Sequence, residues 1–83
     1  MVEIVASSKK TIKTRGYSPT NTMGARIKAW TGKKVSVTIP YDYFLSGPEN
    51  HIKAALKLAE RLDLHGKMIM GICDDCRVFV FYE

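Results

Sequence analysis

Acids are nearly missing from the first half of this 83-residue chain: residues 1–40 hold one, Glu3, against eight Lys or Arg, a local net of +7. Residues 41–83 hold seven acids against five Lys or Arg, a net of −2. A chain so divided presents one face to a polyanion or to an acidic partner. Other absences narrow the field. The longest uncharged apolar run is far below the roughly 20 residues of a membrane span, so no membrane contact is expected. Met1-Val2-Glu3-Ile4-Val5 lacks a basic stretch followed by an apolar one, which predicts no export signal and a cytoplasmic protein. No repeat or low-complexity tract occurs. With 46% hydrophobic and 25% charged residues, the composition is that of one globular domain over 1–83, with a flexible start over 1–8.

What is present is patterned. A strand is expected near residues 9–15, where Thr11-Ile12-Lys13-Thr14 suits a pleated surface. Residues 16–24 are rich in turn formers and read as a long contact loop. Ala25 to Thr31 and Lys34 to Ile39 both alternate with period two, and the short Gly32-containing connection makes them a hairpin, which Pro40 ends. Ser46-Gly47-Pro48-Glu49 is a capping box that opens a helix over about 48–64. Its apolar stripe is Ile52, Ala55, Leu56, Ala59 and Leu62, widened by Leu58, and Gly66 is the expected residue after the C-cap. Two apolar runs around Asp74-Asp75 predict a second hairpin, with the last strand interior to the sheet or covered at an edge. The fold class is therefore α+β: about five antiparallel strands in the order β-β-β-α-β-β, with one helix on one face.

That alternation sorts side chains. With Ile12, Ile27, Val35, Val37 and Ile39 toward the helix, the other face collects Lys13, Arg15, Arg26, Lys28, Lys34, Ser36 and Thr38 around Trp30. Basic groups interleaved with an aromatic suit phosphate contact and base stacking, or docking on an acidic protein surface. Tyr17 and Asn21, from the adjoining loop, complete the expected binding set of Lys13, Arg15, Tyr17, Asn21, Arg26, Lys28, Trp30 and Lys34. The loop has neither the P-loop nor the dinucleotide glycine spacing, so it carries no nucleotide signature.

Cys73-Asp74-Asp75-Cys76 has Cys-x-x-Cys spacing, and Cys73 and Cys76 are the sole metal candidates worth weighing. Zinc needs four ligands, and His51 and His65 stand at no familiar spacing to complete the set. A redox pair belongs at a helix start, whereas this one flanks a hairpin turn, and the intervening acids raise rather than lower thiol pKa values. The expectation is a turn with two semi-buried residues that cross-link on oxidation, and no metal or cofactor. His51 borders the helix stripe as a packed residue, and Asp42 suits an Asx-type turn after Pro40. No nucleophile elbow or spaced carboxylate pair is present, so the chain does not read as an enzyme.

The segments Thr20-Asn21-Thr22-x-Gly24-x-Arg26-Ile27-Lys28-Ala29, Val37-Thr38-Ile39-Pro40-Tyr41-Asp42-Tyr43, Asn50-His51, Ala54-Ala55 and Leu58-Ala59-Glu60 resemble a family of small proteins from phages, plasmids and other mobile elements. The likeness covers about residues 10–83. It implies an inhibitor of a host nucleic-acid-targeting defence system, anti-CRISPR-like or anti-restriction, acting by protein–protein contact in the host cytoplasm, or an accessory DNA- or RNA-binding protein. No residue's role comes with it, and Cys-x-x-Cys lies outside its pattern. A net positive charge argues against mimicry of DNA. An unpaired sheet edge also admits a homodimer.

Overall fold

Period-two alternation and turn chemistry set the strands of the computed structural model, which describes residues 2–3, 10–32 and 34–82. They are β1 (Ile12–Tyr17), β2 (Arg26–Thr31), β3 (Val35–Pro40), β4 (Met68–Cys73) and β5 (Cys76–Phe81), with one helix, α1 (Gly47–Arg61), between β3 and β4. They form one antiparallel sheet in the order β3-β2-β1-β5-β4. The fold is α+β, with the helix on one face. The flexible start assigned to residues 1–8 falls almost wholly outside the described residues.

Both hairpins stand where the turn residues put them. Gly32 takes a positive φ of 66° between β2 and β3, and Asp74 a φ of 50° between β4 and β5. β5 is interior, between β1 and β4, with Phe79 buried on one face and Val80 38% exposed on the other. The first strand begins later than its composition suggests. Gly16 and Tyr17 belong to β1, opposite Ile27 and Arg26, and the loop is confined to residues 18–25.

The core is Ile12, Ile27, Ala29, Ala54, Ala55, Leu58 and Phe79, with Val35, Val37 and Ile39 packed against it. Burying each large aliphatic contributes roughly 1.5–3 kcal/mol. The helix is rotated from its expected orientation. Asn50, His51, Ala54, Ala55 and Leu58 are its buried residues, while Ile52 and Leu56 are 39% and 64% exposed. The cause is where it sits: α1 packs on β2, β1 and β3. Toward β5 and β4 it leaves an apolar groove of about 490 Å³, walled by Ile52, Leu56 and Ala59 and floored by Met68, Met70 and Phe81.

Ser46 and Glu49 close the capping box, with bonds of 3.2 Å in both directions. At the other end the helix stops sooner than 64, and the residue after the C-cap is Asp63, not Gly66. The Leu64 amide donates to the Ala59 carbonyl at 2.9 Å and that of Asp63 to Glu60 at 3.2 Å, a Schellman arrangement that needs a left-handed residue at position 63. Asp63 supplies it at φ 54° and places a negative charge at the negative helix end. Asp63→Gly is therefore expected to stabilise the fold by about 0.5–1 kcal/mol, read as a higher melting temperature.

Candidate binding face

The register decides which cations meet. On the face away from α1, Arg15 stands directly opposite Lys28, Tyr17 opposite Arg26, and Lys13 opposite Trp30, with Lys28 and Trp30 next to Thr38 and Ser36 of β3. Like charges directly opposed across strands destabilise a sheet by some tenths of a kcal/mol. Two guanidinium groups stand over the Tyr17 ring, that of Arg15 at 5.6 Å and that of Arg26 at 5.3 Å from its centroid. Such cation–π contacts hold the guanidinium planes over the sheet without neutralising them.

One acid answers these cations among the described residues. Asp75, from the β4–β5 turn, pairs with Arg15 at 2.9 Å. Both groups are well exposed, so the pair adds little stability. No Asp or Glu occurs between Glu3 and Asp42 in the sequence, so the strands carrying the patch bring no acid of their own.

Two hollows flank this centre. A shallow cavity of about 160 Å³ is lined by Tyr17, Lys28, Trp30, Lys34 and Ser36. A more open cleft of about 420 Å³ lies where β1 leaves the sheet, against Tyr17, Pro19, Arg26, Tyr41, Tyr43 and His51. Tyr17 borders both, and the second also meets Ile27 and His51 on the helix side of the sheet. Of the expected set, Lys13, Arg15, Tyr17, Arg26, Lys28, Trp30 and Lys34 share this surface. Asn21 is exposed near the loop tip and lines neither hollow, in a turn clamped by the Thr20 and Met23 backbone bond of 2.6 Å.

Tyr41 and Tyr43, outside the expected binding set, line the second cleft. Their rings lie 5.0 Å apart at 59°, and the Tyr41 amide bonds the Ala25 carbonyl at 2.9 Å. The clue was a Tyr-Asp-Tyr triplet directly after the edge-strand Pro40.

Beneath this surface, packing claims the polar residues. Asp42 accepts from the Phe44 amide at 2.9 Å, the expected Asx turn. Asn50, fully buried, ties that turn to the helix. Its side-chain oxygen accepts from the Asp42 amide at 2.8 Å, and its amide donates to the carbonyls of Asp42 and Ser46, both at 2.9 Å. His51 is 8% exposed and shares a 2.7 Å hydrogen bond with the fully buried Thr14.

Burial, and then the nearby Arg77 charge, hold the His51 pKa below the ordinary 6.5. The unfolded chain therefore binds a proton that the folded one resists. Stability from this residue is present above about pH 6.5 and falls as the pH drops through and below that value. Urea titrations are expected to show this acid loss in the parent and a much smaller one in His51→Gln.

Cys73 is exposed rather than semi-buried, and Cys76 is partly so. Both are free thiols, and Cys76 Sγ donates to the Cys73 carbonyl at 3.0 Å. Desolvation, then the neighbouring Cys73 and Asp75, raise the Cys76 pKa. Among the described residues no group of three or more His, Cys, Asp or Glu side chains could hold a metal, and no helix is long and apolar enough to cross a membrane. No protein-family model matches the chain, and no curated protein or solved structure matches it. The open face is what the chain itself offers.

Proposed function

We propose that this is a non-catalytic binding module whose open sheet face takes up a short stretch of single-stranded nucleic acid. The observation that carries the reading is the Arg15–Lys28 opposition, flanked by Tyr17, Arg26 and Trp30. Phosphates answer Lys28 and Arg26 beside the Asp75-paired Arg15, and bases stack on the aromatic rings, a combination that tolerates any sequence. β2 spans roughly 17–20 Å, which fits about four nucleotides, the short end of known single-strand sites.

Trp30 is the only tryptophan, so its fluorescence reports directly on the face. A labelled oligonucleotide is expected to quench it and to gain anisotropy. With Lys13, Arg26, Lys28 and Lys34 engaged, the logarithm of affinity falls against the logarithm of salt with a slope of about −3. No change in either signal at low salt sinks the reading.

A second reading has its own support. The same face runs on into Val78 and Val80 of β5 and Ile69 of β4, of which Ile69 is 62% exposed. A phosphate backbone has no use for such a strip, whereas a protein partner covers it. This favours the inhibitor implied by the mobile-element resemblance, acting in a host cell on an acidic surface of a nucleic-acid-targeting defence complex. Pull-down from a host lysate separates the two, because a partner retained after nuclease treatment supports protein contact.

A further inference from the structure

We infer that two copies of this chain pair through β4, antiparallel about a two-fold axis at Met70, to make one continuous ten-stranded sheet. β4 is an edge: among the described strands it pairs with β5 alone. Its six residues, Met68–Cys73, include no charge and no proline. Natural edges are blunted by charge, proline or cover, and the opposite edge, β3, ends in Pro40 and follows Lys34. Among the described residues β4 has no such protection, and its Ile69 and Ile72 are 62% and 73% exposed.

The hydrogen-bond phase settles the register. The Tyr82 amide donates to the Lys67 carbonyl at 3.0 Å, so 67–82 is a bonded pair. Bonded and non-bonded pairs alternate along an antiparallel ladder. Positions 69, 71 and 73 therefore turn their backbone groups toward β5, and Met68, Met70 and Ile72 turn theirs outward. Self-pairing that uses all three sets Met70 opposite Met70 of the second copy and Met68 opposite its Ile72.

Charge selects a second copy in this orientation. Lys67 lies at one end of β4 and Asp74 at the other. Antiparallel pairing about Met70 brings Lys67 of each chain to the Cys73–Asp74 end of its partner, at both ends of the seam. Parallel pairing would place Lys67 against Lys67 and acid against acid. The contact is isologous and closes on itself. It does not rest on nucleic-acid binding, because its readout is mass.

Sedimentation of the full chain is expected to show twice the 9.3 kDa monomer mass. Lys67→Asp alone and Asp74→Lys alone are each expected to weaken the dimer at least tenfold, since each sets like charges together at both ends. An equimolar mixture of the two variants restores both attractions in the heterodimer and returns the dimer mass. A change that acted only within one chain would not be rescued by mixing. Met70→Cys, in a Cys73→Ser, Cys76→Ser background, should cross-link to a covalent dimer with a short dithiol-reactive linker, and Ser36→Cys on the opposite edge should not. A wild-type chain that stays monomeric at about 1 mM, where even a millimolar dimer is well populated, overturns the inference. So does a dimer unchanged by both charge reversals and refractory to cross-linking at Met70.

Discussion

Replacing Arg26 and Lys28 together by glutamine is expected to lower affinity for a single-stranded oligonucleotide about 100-fold at moderate salt. Two hydrogen-bonded phosphate contacts at about 1.5 kcal/mol each, the low end for charged groups, give that factor. The salt slope should also fall by about 1.4, since each lost cation leaves one fewer counterion released. Melting separates a binding effect from a folding one. Lys28 faces Arg15 directly, so its neutralisation removes a repulsion and the melting temperature should hold or rise slightly. Anisotropy titrations at three salt concentrations, with a thermal melt of each variant, read both quantities. An affinity that survives the double substitution would take the open face out of the binding reaction, whichever partner is used.

The largest expected effect on stability comes from a polar residue. Asn50→Ala should cost about 2–4 kcal/mol, because it removes the acceptor for the Asp42 amide and the donor to the Asp42 and Ser46 carbonyls in a partly buried turn. A chain of 83 residues has a total stability of about 4–12 kcal/mol, so this loss is a large share of it. For a domain this size the melting temperature should drop by about 10–25 °C. Lys57→Ala, on the exposed side of the same helix, should change it by a degree or two. Calorimetry of both variants checks the comparison, and a small effect at Asn50 would mean that water replaces its bonds without loss.

The two results bear on one assembly. The turn that Asn50 holds carries Tyr43, and Tyr41 and Tyr43 border the cleft with Tyr17 and Arg26. Loosening it should therefore disturb the cleft beside Arg26 while leaving Trp30, Lys28 and Lys34 in place. The expectation is a modest loss of affinity in Asn50→Ala at temperatures where it remains folded.

Local chemistry was legible in the chain. Alternation over Arg26–Thr31 and Val35–Pro40, the Gly32 turn, the Ser46–Glu49 capping box and the Asp74-Asp75 hairpin each depend on neighbours a few residues apart. So does the division of Arg26, Lys28 and Trp30 from Ile27 and Ala29, since side chains alternate on any strand. Structure departs from local pattern where distant segments compete. Gly16 and Tyr17 look like loop by composition, yet pairing with Ile27 and Arg26 draws them into β1. Gly66 looks like the helix stop, yet backbone bonds to Ala59 and Glu60 close the helix three residues earlier through Asp63.

The sequence by itself determined the α+β class, the existence of a basic sheet face and the residues that populate it, because each follows from period, turn type and charge along the chain. Only the tertiary structure decided that β1 sits between β2 and β5. That order depends on strand pairings across dozens of residues, which no local pattern encodes. From it follow the Arg15–Asp75 pair and the displacement of α1 that leaves Ile52 and Leu56 above an open groove. The same order puts the uncharged β4 at the edge, where its outward backbone groups meet water or a second copy.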